Sequence, residues 1–264
     1  MHNLFFMRAS FVGLVLLVTG QIFGQSSFND SKEKTDSLNA VHYKKLKSIG
    51  QFNSNGSKTG FWIEYDLLVD TADNSIPVTI QGLDFSMDMQ FSTPSTTLIK
   101  SEGDFVNGQM TNTWKWFKAS YIWGDTLTWG IIRETEYLNG KKNGTEKQYS
   151  SGDLFRHANY LNDQITGTET YYWSPDIIYL RAQWKNGNAK NAIWYYPSGG
   201  IKTSKDYRRY PLIKVTDYHE NGKVKAKYTV LGAEEVIDGG FQNFDENGKL
   251  KEKKRYKEGI EVKK

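Results

Sequence analysis

The chain has 264 residues, a formal net charge of +4 and no cysteine. The missing cysteines exclude disulfides, thiolate metal sites and a lipid-modified cysteine, and the mild charge gives no reason to expect nucleic acid as a partner. Apolar residues make up only 38% but aromatics 14%, so the core must be built mostly of Tyr, Trp and Phe, whose rings bury area while keeping a polar edge.

The first element in chain order is a leader. Arg8 supplies a positive end, Phe11 to Val18 is an apolar run, and small residues follow at Gly20 and Gly24. This pattern predicts a secretory signal peptide over 1–24, cut after Gly24, and therefore a chain exported to the periplasm, the cell envelope or the medium. The alternative is an uncleaved anchor, but the run is short for a span of roughly 20 residues. Residues 25–48 are polar and weakly patterned, and read as a flexible lead or a short helix.

From residue 49 to 264 the sequence repeats a phrase. Phe105 opens "FVNGQMTNTWKWF", Tyr137 "YLNGKKNGTEKQY", Tyr160 "YLNDQITGTETYY" and Trp184 "WKNGNAKNAIWYY". Phe52 opens the same phrase with one extra residue. In the four regular copies an aromatic returns after twelve residues. Asn-Gly or Asn-Asp sits two and three after the opening ring, the strongest short-range hairpin signal. Seven after it comes Asn112, Gly144, Gly167 or Asn191, with Gly60 equivalent in the longer copy. These residue types tolerate a left-handed backbone. The closing ring is followed by a second turn, as in "YSSGDL", "YPSGGI", "YHENGKV" and "FDENGKL". Turns every twelve residues or so, with period-two alternation at Ile178–Trp184 and Ala226–Val230, predict an all-β protein, an elongated single array of stacked antiparallel hairpins.

This frame resembles the bacterial variant of the MORN repeat, found in the YwqK-type antitoxin-like repeat family. The resemblance implies a meander of hairpins, each packing on the next. Its motif positions are turn glycines such as Gly140 and Gly152 and packing rings such as Tyr137, Tyr160 and Trp184. It implies no catalytic residue. Two insertions depart from the frame, at 66–98 and 119–132. The first alternates as extra strands would, and the second reads as an added hairpin turning at Gly124-Asp125.

Chemistry-bearing patterns are sparse. No His-x-x-x-His or His-Glu-x-x-His spacing occurs, which argues against a zinc hydrolase. His157 in "LFRHANYL" reads as a surface imidazole. "DTADNS" (Asp70 to Ser75) lacks the Gly and Glu of a calcium loop and reads as a polar turn. Asp84 and Asp88 share a face if their segment is a strand. No catalytic residue, metal or cofactor is expected. The basic end "KLKEKKRYKEGIEVKK" reads as a solvated last strand, the alternative being contact with an anionic surface.

The candidate binding residues are the rings of "TYYWSPD" and "AIWYYPSGG", namely Tyr171, Tyr172, Trp173, Trp194, Tyr195 and Tyr196. Neighbouring copies are expected to align Tyr171 with Tyr195 and Tyr172 with Tyr196 as ladders that stiffen the sheet or stack on a ligand. The expected function is a non-enzymatic interaction or scaffold module of the bacterial envelope, with another protein as partner. The alternatives are a glycan-binding module and an antitoxin-like neutralising partner. Membrane contact is expected only at the leader.

Overall fold

A computed structural model describes residues 38–70, 95–122 and 126–262. The leader 1–24, the lead up to residue 37, most of the first insertion with Asp84 and Asp88, residues 71–75 of the acidic turn and Gly124-Asp125 lie outside the described residues. Residues 38–45 form a helix, α1. The remaining elements are strands, and every described register is antiparallel. The all-β hairpin array expected from the repeat is the observed fold. Among the described residues no helix is long and apolar enough to cross a membrane.

The chain divides into two compact units. The first contains α1 and strands β1 (Ile49–Phe52), β2 (Lys58–Asp70), β3 (Ser95–Val106), β4 (Gln109–Ile122) and β5 (Thr126–Leu138) as far as Glu134, together with Tyr149–Asp153. β2 and β3 pair without interruption from Gly60↔Phe105 to Asp70↔Ser95, so the described ends of the first insertion lengthen a hairpin. The side chain of Asn39 on α1 is buried. It donates to Thr96 O at 2.7 Å and accepts from Tyr121 Oη at 2.6 Å, clamping the helix to β3 and β4.

The second unit begins at Thr135, omits Tyr149–Asp153, and runs on from Leu154. It contains most of β6 (Lys141–Ser150) and β7 (Asp153–Leu161), then β8 (Gln164–Ser174), β9 (Ile177–Lys185), β10 (Asn188–Tyr195), β11 (Ile201–Arg209) and β12 (Leu212–Tyr218). β13 (Val224–Leu231), β14 (Val236–Ile237), β15 (Gly239–Phe244), β16 (Leu250–Lys257) and β17 (Ile260–Glu261) complete it. Its core is Tyr171, Leu180, Ala182, Trp184, Ala192, Tyr207, Ile213, Val215 and Val230.

Two backbone devices repeat. In the four regular copies both central residues of the turn after the opening ring have positive φ, as at Asn139 (51°) and Gly140 (77°). This is the mirror-image turn whose twist matches that of the strands. Several turns also bond to the hairpin before them. Within the second unit the amides of Asp163, Gly187, Gly232 and Gly259 donate to the carbonyls of Lys142, Ile165, Pro211 and Ile237, all at 2.9 Å. In the first unit Gly108 donates to Lys58 O at 2.8 Å. These bonds are the nearest-neighbour coupling of a repeat array.

The second device is a bulge. Gly60, Asn112, Gly144 and Gly167 are left-handed, and the register shifts around Asn112 and Gly167. The residue two further on then turns into the interior: Trp62, Trp114, Glu146 and Glu169 are all buried. Asn191 departs from expectation. It is not among the left-handed residues, because the fourth copy places its register shift between Ala189 and Asn191. There Ala192, one residue earlier in the frame, is the buried one.

Candidate functional site

The predicted aromatic ladders do not align as expected. Tyr171 is 2% exposed and belongs to the core. It pairs with Leu180, which in turn pairs with Trp194, so Trp194, not Tyr195, shares its row. Tyr172 pairs with Ile178. Bulges at Tyr171/Tyr172 in β8 and Ala189/Asn191 in β10 displace the ladders from the simple sequence spacing. Trp194 packs on the core beneath Lys205, whose ammonium lies 5.0 Å from the ring. Trp173 meets Tyr179 edge-on at 4.4 Å. Tyr195 is half-buried, and Tyr196, also half-buried, donates to Tyr218 O at 2.8 Å. The six rings are therefore mostly occupied with holding hairpins together.

The densest chemistry is one the spacing of rings and glycines did not single out. Glu146 on β6 and Glu169 on β8 are each 1% exposed, with buried Arg156 of β7 between them. Arg156 Nη1 donates to Glu146 Oε1 at 2.6 Å, and Nε donates to Glu169 Oε1 at 2.7 Å. The remaining lone pairs are also used. Glu146 Oε2 accepts from Lys142 Nζ at 2.5 Å and Thr135 Oγ1 at 3.2 Å, and Glu169 Oε2 accepts from Trp184 Nε1 at 2.8 Å. Tyr171 Oη and Tyr160 Oη each lie 3.1 Å from a guanidinium nitrogen. Two carboxylates, one guanidinium and one ammonium make a neutral, saturated group. Burial alone would push the Glu146 carboxyl up, but Lys142 and Arg156 outweigh it and hold it below its ordinary value. Burial and the neighbouring Glu169 raise the Tyr171 phenol, which stays protonated.

The sequence did carry a signal for this group. "GTE" occurs at Gly144–Glu146 and again at Gly167–Glu169, one period apart, and Arg133 and Arg156 show the same spacing. A charged residue recurring at a frame position whose other occupants are Trp62 and Trp114 points inward. His157, expected at the surface, is half-buried, and burial, Lys147 and Arg156 lower its pKa. Among the described residues no group of three His, Cys, Asp or Glu side chains could hold a metal ion. A shallow recess beside the β9–β10 and β11–β12 turns is lined by Gly187, Asn188, Lys190, Tyr207, Arg208 and Tyr210. It brings together no acid–base pair.

The chain matches no protein-family model and no curated protein.

Proposed function

We propose that the protein is a non-catalytic interaction module of the bacterial envelope, exported by its leader, that binds another protein through repeat-equivalent surface positions. The observation that carries this reading is the exposure of aliphatic side chains at the same place in successive copies. Leu138 and Leu161 directly follow the opening rings and are 51% and 54% exposed. Ile177, Ile201 and Leu250 each resume a strand after a closing turn and are also exposed, whereas Leu154 and Val224 at the same position are half-buried. A repeat array presents such positions as a periodic surface, the usual basis of recognition in these architectures. The polar chemistry supports the same reading from the other side. Glu146, Arg156 and Glu169 are sealed and mutually neutralised, a pattern of structural ion networks rather than of groups waiting for substrate. The ring-and-glycine frame also supports membership of the MORN-variant repeat proteins, on resemblance alone.

The test is capture from an envelope fraction with the full chain, with the contact mapped by cross-linking. A specific protein that cross-links near Leu138 or Leu161, and is lost in Leu138→Lys/Leu161→Lys, supports the reading. Retention on glycan alone reverses it in favour of the carbohydrate alternative.

A further inference from the structure

The last full strand of the second unit has two properties that act together. β16 pairs with β15 along its length, from Gly239↔Tyr256 to Phe244↔Leu250. On its other side β17 covers only Tyr256 and Lys257, and Val262 N reaches Arg255 O at 2.8 Å. Among the described residues nothing pairs with the outward edge from Leu250 to Lys254. Main-chain groups alternate in direction along a strand. The outward carbonyl of Arg255 therefore implies that Lys253 also presents its N–H and C=O outward.

The same stretch alternates in exposure. Lys251, Lys253, Arg255 and Lys257 are exposed on one face, while Glu252, Lys254 and Tyr256 are half-buried on the other. Lys254 is held by Glu252 and Glu261 on its own face. Among the described residues the four exposed cations have no carboxylate partner within ion-pair distance. Lysines on an open edge commonly serve only to repel a second edge. Here the cations continue inward, where no edge needs protection. Lys253 pairs with Gln242, Gln242 with Lys227, and Lys214 on the next strand lies on the same face opposite Thr229.

We propose that the open edge of β16, Leu250–Lys254, is a docking strand for an extended acidic segment of a partner protein. This rests on the interaction-module reading and names the chemistry of its partner. An added strand is held by main-chain hydrogen bonds and selected by alternate side chains. Same-face residues of an extended strand recur at about 6.8 Å. Carboxylates at every second position of the incoming segment therefore stand beside Lys251 and Lys253 as favourable cross-strand pairs, with Arg255 as their diagonal neighbour on the same face. The inner lysines add a field that attracts such a segment and repels a second copy of this basic edge.

The test uses three labelled peptides and the full chain, followed by fluorescence anisotropy. One peptide alternates Glu with Val or Thr. The second is the same peptide N-methylated at its Glu residues, which keeps the charge but removes the N–H donors that face β16. The third replaces Glu by Lys. The proposal expects the first to bind at least about ten-fold more tightly than the second, a difference of about 1.4 kcal/mol. The third does not bind. Bound peptide slows amide exchange at Lys251 and Lys253. Lys253→Glu/Arg255→Glu, with an unchanged circular dichroism spectrum, abolishes binding. Equal binding of the N-methylated peptide overturns strand addition, as does protection confined to other strands. No binding of the alternating peptide overturns the proposal outright, and so does stronger binding of a single-stranded oligonucleotide. In each case a partner cross-linked at Leu138 or Leu161 would leave the broader reading standing, so the two failures are separable.

Discussion

The two units fill the same slot with opposite chemistry. In the first, the inward residue after the bulge is a tryptophan. Trp62 and Trp114 lie in a run of edge-on ring contacts with Phe52 and Phe105 at 4.9 to 6.1 Å. In the second unit the equivalent residues are Glu146 and Glu169, joined by Arg156. The residue two before the opening ring explains the choice. It is Gly50 and Gly103 beside the tryptophans, but Thr135 and Ala158 beside the glutamates. A β-carbon on Gly50 would stand 2.0 Å from the Trp62 indole, and one on Gly103 would stand 2.5 Å from that of Trp114. The indole needs bare backbone beneath it. A glutamate does not, and Thr135 even donates to one. The polar atoms in this slot are satisfied by different means: Trp114 Nε1 donates to Asp104 O at 3.0 Å, whereas the carboxylates use side-chain donors.

The sharpest way to break this comparison is Arg156→Met. It leaves two buried carboxylates without their shared cation, and the expected loss is about 3–5 kcal/mol of stability in urea unfolding. Next comes Gly103→Ala, which forces the Trp114 indole off the backbone. Overpacking of this kind costs about 1–3 kcal/mol. The same change made on a Trp114→Leu background should cost far less, and a double-mutant cycle reads the coupling. Ala158→Ser beside Glu169 should cost less than Gly103→Ala, since Thr135 already places a hydroxyl at the equivalent position beside Glu146.

A smaller effect is expected with pH. The folded Glu146 carboxyl lies below its ordinary value of 4.5. Its contribution is therefore complete above the unfolded value and is lost as pH falls through the folded one. An acid titration monitored by near-ultraviolet circular dichroism should show a steeper acid limb for the native chain than for Glu146→Gln; identical limbs would contradict the assignment. The smallest effect is expected at a turn. Gly140 has φ 77°, and Gly140→Ala should cost about 1–2 kcal/mol, measurable as a shift in thermal midpoint.

The hairpin period was legible because its signals are local. Asn-Gly pairs fix the turns, and glycine or asparagine fixes the bulges at Gly60, Asn112, Gly144 and Gly167. What failed to show was non-local. The direction of Tyr171 depends on bulges in β8 and β10, and a one-residue slip moves a side chain to the other face. Asn191 departs from its expected left-handed backbone for the same reason, the register shift falling between Ala189 and Asn191. Glu146, Arg156 and Glu169 were hidden because charged residues in strands are ordinarily solvated. Only their recurrence at the tryptophan position marks them as interior. The basic alternation of β16 was visible in sequence, but its open edge was not, since that depends on where β17 stops pairing.

The central claim is that the charges inside the second unit are a closed structural group occupying a slot common to the repeats. Urea unfolding of Arg156→Met against Glu146→Gln/Arg156→Met/Glu169→Gln tests it most directly. The amides keep acceptors for Thr135 and Trp184 while removing all three charges. The expected result is a large loss in the single variant and recovery of most of it in the triple. A single variant as stable as the native chain, or a triple that falls as far as the single, would contradict the account.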